Sequence, residues 1–198
     1  YRSNPLKLAE FTLSRKDPGY VARAKATQEL ESTRVRLLAE GGPADALIDA
    51  LAAFWTEGKP TAEEIRRFIG QTGIASVIFA VKPGDGSARE QAASCQKVLG
   101  GEANIAVEYA TKRYRSNLIN WGMLPFTIGR EASGDLAVDD LIYIPGIRQA
   151  VREGKEKIPA SLVRAGKRTP LELTLEGLSR EDRAIILAGC LINYYAQR

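Results

Sequence analysis

A strand, a glycine-rich turn, a helix and a second strand follow one another between Ile74 and Val107, and this unit constrains the fold more than any other stretch. Residues 75–81 (Ala-Ser-Val-Ile-Phe-Ala-Val) are apolar and partly β-branched, as expected of a buried strand. Pro83-Gly84-Asp85-Gly86 is turn material. Ser87 to Val98 reads as a helix, and Ala103 to Val107 as a second buried strand. Strands joined through a helix lie parallel, because a tight hairpin cannot connect parallel neighbours. The unit therefore requires an α/β sheet with helices packed on it.

Helical signals dominate upstream. Asp17-Pro18 opens a charged helix that runs to about Glu40 and stops at Gly41-Gly42. Pro43 starts another, with Leu47, Ile48, Leu51, Phe54 and Trp55 at helical spacing. Thr61-Ala62-Glu63-Glu64 is a capping-box pattern for a third helix, ending near Gly70. Residues 1–16 show no clear period. Downstream, the patterns predict a helix over 115–122, a strand over Asp140–Ile144 and a helical turn over Ile147–Glu153. Paired strands Leu162–Arg164 and Leu171–Leu175 flank a turn at Ala165-Gly166-Lys167-Arg168. A last helix opens at Ser179, with Ile185, Ile186, Ala188, Gly189, Ile192 and Tyr195 on its apolar side. The expectation is one domain over 1–198: a helical extension at 17–70 and a motif-bearing core at 71–198. The core is a mixed, mostly parallel sheet flanked by helices.

Composition excludes several chemistries. Histidine is absent, which removes Ser-His-Asp catalysis, imidazole bases and histidine metal ligation. The two cysteines, Cys95 and Cys190, are far apart, so neither a zinc site nor a complete iron–sulfur site is readable. Two lone thiols fit a reducing, cytoplasmic setting. No apolar run reaches the roughly 18 residues that span a bilayer. The first residue is Tyr1, which fits a piece of a longer protein. A net charge of +4 is spread along the chain among acidic residues. Such a modest surplus suits a small anionic substrate as well as it suits nucleic acid, whose readers concentrate charge on one face.

Gly84-Asp85-Gly86-Ser87-Ala88-Arg89-Glu90 sits where strand becomes helix. Such a place offers unpaired backbone N–H groups and the positive end of the helix dipole to a carboxylate or phosphate. Arg89 adds a planar fork that matches a carboxylate. Ser87-x-x-Glu90 is also a capping box, so structural capping and an anion site are both open readings. No Gly-Lys-Ser/Thr follows, so this is not a Walker loop, and the glycine spacing is not that of a dinucleotide fingerprint.

Gly86-Ser87-Ala88-Arg89-Glu90-Gln91-Ala92-Ala93 resembles the Gly-Ser-Ser-Arg-Glu-His-Ala-Ala motif of the aconitase superfamily's C-terminal swivel domain. Tyr109-Ala110-Thr111-Lys112-Arg113-Tyr114-Arg115-Ser116-Asn117-Leu118-Ile119-Asn120-Trp121-Gly122-Met123-Leu124-Pro125-Phe126 is similar to that family's second motif, at a fitting distance. Residues 188–194 resemble its closing Gly-Gly-Ile-Leu-x-Tyr.

The resemblance implies a swivel-type α/β fold and a hydro-lyase function. Ser87 takes the place of the family's serine base, and Arg89 that of the arginine that binds a substrate carboxylate. Gly86 and Ala88 line the same substrate turn. Ala88 replaces the family's second serine, Gln91 the histidine after the glutamate, and Tyr114 the histidine of the second motif. These departures point to a diverged hydratase branch. Arg2, in Tyr1-Arg2-Ser3-Asn4, is the early candidate for gripping a second carboxylate, against a solvated terminal arginine as the plain reading.

The family's Lewis acid is a [4Fe-4S] cluster held by cysteines of other domains. The implied partners are therefore the remaining aconitase-type domains and a small hydroxy di- or tricarboxylic acid, and the chain alone is expected to be inactive. Two alternatives stay open: a small subunit of an isopropylmalate isomerase-type enzyme, and a non-catalytic module for RNA or a partner. Lys112, Arg113 and Arg115 beside Tyr109 and Tyr114 read as an RNA contact or, more plainly, as a solvated helix face. Glu90 reads first as a cap. Trp121 and Phe126 read as core, and Asn117 and Asn120 as turn-holding side chains.

Overall fold

The computed structural model describes residues 4–42, 45–51, 54 and 60–198. Four helices come first: α1 (Pro5–Ser14), α2 (Tyr20–Glu40), α3 (Asp45–Leu51) and α4 (Ala62–Gln71). Strand β1 (Ser76–Ala80) leads through α5 (Arg89–Val98) to β2 (Gly101–Ala106), and through α6 (Lys112–Asn120) to β3 (Leu124–Thr127). Then come α7 (Arg130–Ser133), β4 (Leu141–Tyr143), α8 (Ile147–Glu153), β5 (Lys157–Arg164), β6 (Lys167–Thr174), α9 (Arg180–Ala188) and α10 (Leu191–Ala196). Among the described residues the strands form one sheet, in the order β1-β2-β3-β6-β5-β4.

The crossover unit forms as expected: β1 pairs parallel with β2, and β2 with β3. The expectation of a mostly parallel sheet needs correcting. β3–β6, β6–β5 and β5–β4 are all antiparallel. The β5–β6 pairing has a local cause. Ala165 (φ 48) and Gly166 (φ 74) form a two-residue turn between Arg164 and Lys167, and so tight a connection permits only antiparallel pairing.

Both hairpin strands run longer than the sequence pattern indicates. Pro159 and Pro170 interrupt that pattern, yet each lies within the paired register, opposite Glu172 and Ser161 respectively. A strand at Leu124–Thr127 was likewise hidden by Pro125. Strand β1 is not buried on both faces. It is the sheet's edge, and alternate side chains Val77, Phe79 and Val81 are 36%, 38% and 50% exposed.

Two further differences have simple causes. Residues 5–14 are helical because Asn4 caps Lys7 N and Pro5 enters the first turn. The final helix breaks at Gly189 (φ 91) into α9 and α10, which leaves Ile192 and Tyr195 in solvent rather than on an apolar side.

The main core joins sheet to helices through Ile105, Phe126, Ile158, Leu173, Val151 and Ile185. Helices α1 and α2 pack on α5 through Ala9, Ala24, Cys95 and Leu99. Helices α3 and α4 pack through Leu47, Leu51, Ile65 and Ile69 against Leu30 and Leu37 of α2. The extension is thus anchored to the helix that follows the glycine-rich turn.

Leu173 is fully buried at the centre of that core. Leu173→Ala is expected to lower stability by about 2–5 kcal/mol in urea unfolding, through lost transfer energy plus a cavity. A second expectation concerns acid. Asp140 accepts from Arg164 Nε and Nη2 at 2.6 Å each, and from Ala137 N at 2.6 Å. The Arg164 hydrogen bonds hold its carboxyl below the ordinary range. This stabilisation is complete above the unfolded value of about 3.9 and is lost as pH falls through the lowered folded value. The stability gap between the native chain and Asp140→Asn, followed by circular dichroism, should therefore close on acidification below that value.

Candidate active site at the turn before helix five

The turn between β1 and α5 is held from two sides. Gly84 adopts φ +99, and a Cβ there would lie 2.4 Å from Tyr114 Cβ. Glycine is required on both counts, by backbone conformation and by space. The Gly84 carbonyl accepts from Thr111 Oγ1 at 3.0 Å and from Arg89 Nε at 3.1 Å. Ala110 N donates to the Pro83 carbonyl at 2.9 Å. Thr111 also caps α6, accepting from Tyr114 N at 3.3 Å. The start of α6 is therefore pinned onto the turn that starts α5.

Ser87 does not cap α5. The N-cap is Ala88, with no side-chain cap, and the helix begins at Arg89. Glu90 does not cap either. Its carboxylate accepts from Asn117 Nδ2 at 2.9 Å and Trp121 Nε1 at 2.8 Å. The capping box is thus not formed, because Glu90 ties α5 to α6 instead. Trp121 is half-buried rather than core, while Phe126 is fully buried.

Ser87 is exposed, and among the described residues nothing bonds its hydroxyl. Arg89 is half-buried, and among the described residues no carboxylate pairs with it. With Nε tethered to Gly84, both Nη atoms stay available for an end-on fork. The first three N–H groups of α5 have no intrahelical acceptor, since the first such bond is Ala92 N to the Ala88 carbonyl at 3.0 Å. Gly86 faces open space. Asp85 is exposed in the same turn and opposes an anion.

The structure thus brings Gly86, Ser87, Ala88 and Arg89 together on one turn. Arg2 lies outside the described residues. Thr111 was not singled out by sequence, although a threonine just ahead of Lys-Arg-Tyr is an N-cap signal.

Tyr114, in the place of the family's second-motif histidine, points inward. Its hydroxyl accepts from Gln96 Nε2 and Asn104 Nδ2, both at 2.8 Å. Burial pushes its phenol pKa up, against the opposing pull of those two hydrogen bonds. Tyr109 is held by the Phe126 carbonyl at 3.0 Å, and burial, then neighbouring Tyr114, push its phenol up. The Tyr114 ring is buried and not available to stack a base.

The cysteines do not fit an iron–sulfur cluster. Cys95 is packed beneath α1 and α2, where burial raises its thiol pKa, and Cys190 caps α10. Among the described residues no group of three metal-ligating side chains occurs. Among them no helix is long and apolar enough to cross a membrane.

The fold and the turn define an α/β domain that presents a serine and an arginine at a helix start. Residues 61–131 match the family described as the aconitase C-terminal domain. A protein named putative aconitate hydratase, mitochondrial, from Emericella nidulans is 29% identical over 120 residues, or 58% of this chain and 15% of that protein. Its namesake from Aspergillus fumigatus is 29% identical over 119 residues, or 58% and 14%. A solved 3-isopropylmalate dehydratase from Methanocaldococcus jannaschii is 29% identical, covers 62% of this chain and 64% of that one, and has a TM-score of 0.41. The matched stretch, residues 61–131, is the one that carries the two motifs at 86–93 and 109–126. The matched part spans only 15% of the Emericella protein.

Thr111→Val removes one of the two donors to the Gly84 carbonyl and the cap of α6. It should cost about 1 kcal/mol in chemical denaturation, as lost caps do. It should also speed amide hydrogen exchange across residues 84–88, whereas Thr111→Ser should restore both.

Proposed function

We propose that this chain is the swivel-type domain of an aconitase-like hydro-lyase, supplying a serine base and a carboxylate-binding arginine. The reading rests on one observation: an exposed Ser87 hydroxyl and a half-buried Arg89, whose two Nη atoms have no partner among the described residues, share the start of α5. In this reading residues 71–198 are the motif-bearing core and 17–70 an appended helical extension. A hydroxy di- or tricarboxylic acid binds by a carboxylate on Arg89. Ser87 Oγ, as alkoxide, takes the proton from the adjacent carbon. The carbon–carbon double bond forms as the β-hydroxyl departs, and hydration is the reverse.

A serine hydroxyl is a weak base because its anion is costly in water. Each pKa unit by which the site lowers it requires about 1.4 kcal/mol of preferential stabilisation. The open N–H groups of α5, its dipole and Arg89 supply fixed positive field at the right place. Glu90 lies in the same helical turn, but its carboxylate is engaged by Asn117 and Trp121. A [4Fe-4S] cluster held by cysteines of other domains would supply the Lewis acid for the departing hydroxyl. The isolated chain then has no turnover. Its two free thiols suit a cytoplasmic, reducing setting.

Citrate titrated into the isolated chain should shift the amide resonances of residues 84–91. Arg89→Gln should weaken that binding by about tenfold or more, as expected for losing a charge-assisted hydrogen bond. Ser87→Ala should leave it nearly unchanged. In the full-length protein, Ser87→Ala should lower kcat by about 10²–10⁴ with little change in KM, as expected for a lost general base. Citrate shifts that avoid the turn would overturn the reading.

A further inference from the structure

We propose that the cleft between α8, α9 and α10 is a second anion site, built for a compact polyanion carrying two or more carboxylate or phosphate groups. The cleft is a hollow of about 400 Å³, open to solvent. Arg148 and Arg152 line it from α8, one turn apart on the same helix face, and Arg198 lines it from beyond α10. Ala184, Leu187 and Tyr194 supply apolar surface between them. Three arginines thus line it, and among the described residues no acidic side chain does.

The guanidiniums are already positioned. Arg148 Nη2 donates to the Leu187 carbonyl at 3.2 Å. Arg152 Nη1 donates to Gln149 Oε1 at 2.7 Å. Arg198 lies over the Tyr194 ring, 4.5 Å from its centroid. Each arginine keeps further N–H donors, while the tether removes rotamer freedom that binding would otherwise cost.

The acid on α8, Glu153, accepts from Gln149 at 2.6 Å and pairs with Lys155 at 2.8 Å, and it also feels the charge of Arg152. Capping of the α9 end accounts for Arg148 but not for Arg152 or Arg198. Like charges gathered around one hollow repel, and an anion placed among them relieves that repulsion. The cleft shares no residue with the turn at 84–89, so the two sites are separable and this inference does not rest on the proposed catalytic function.

The test is a pair of amide-resolved NMR titrations of the full chain, one with inorganic pyrophosphate and one with citrate, at physiological salt. Saturable shifts at residues 148–152 and 184–198 are expected from at least one of them. The tighter of the two identifies the ligand as phosphorylated or polycarboxylic. Arg152→Gln and, independently, Arg198→Gln should each weaken that binding by about tenfold, while Arg89→Gln should leave it unchanged. Shifts confined to 84–91 would overturn this site and leave the catalytic reading standing. Shifts confined to the cleft would do the opposite. Non-saturating shifts, or displacement by single-stranded RNA that binds more tightly through the same residues, would also overturn it.

Discussion

The contact between the Gly84 backbone and the Tyr114 side chain sets the geometry of this domain's chemical end. A β-carbon at 84 has no room against Tyr114. The left-handed turn that this permits aims the Gly84 carbonyl at Thr111 and Arg89 together. One backbone oxygen thereby fixes the start of α6, the orientation of the arginine and the exposure of the serine. Beneath it, Tyr114 is held by Gln96 and Asn104 in a buried polar triad. A tyrosine at position 114 thus has a local logic. In this fold the position faces the interior, and a phenol there both fills space and accepts two amide hydrogen bonds.

The same construction explains how a short turn can hold opposing charges. Asp85 and Glu90 flank the serine, and both disfavour an anion beside it. Glu90 is removed from that contest by two donors across the gap to α6. Its negative charge becomes a clamp between helices, while among the described residues no carboxylate pairs with the arginine next to it. What distinguishes the turn is this division of labour between neighbouring side chains.

Much of this was legible in the residues. The β1–α5–β2 crossover followed from an apolar run, a glycine turn and a helical stretch in order, and the paired motifs located the turn. The errors have physical causes. Pro125, Pro159 and Pro170 break strand patterns, yet a proline is tolerated in a ladder wherever its missing N–H is not needed. Ser87-x-x-Glu90 satisfies a capping rule that counts only local spacing, and the partners that draw Glu90 away are 27 and 31 residues distant. A helix at 5–14 was missed because its signal lay in the cap and a proline rather than in an apolar period. Long-range competition for a polar group is what local sequence rules cannot weigh.

The parallel and antiparallel halves of the sheet meet at a single register pair, Thr127 with Thr174. Elsewhere along that border, cohesion comes from side chains such as Phe126 and Leu173 meeting in one core. Apolar packing tolerates volume-conserving exchange in a way that a backbone ladder does not tolerate a slip. A seam with one stitch lets either half of the sheet change its side chains independently, provided the shapes that meet across the border still fill the same space.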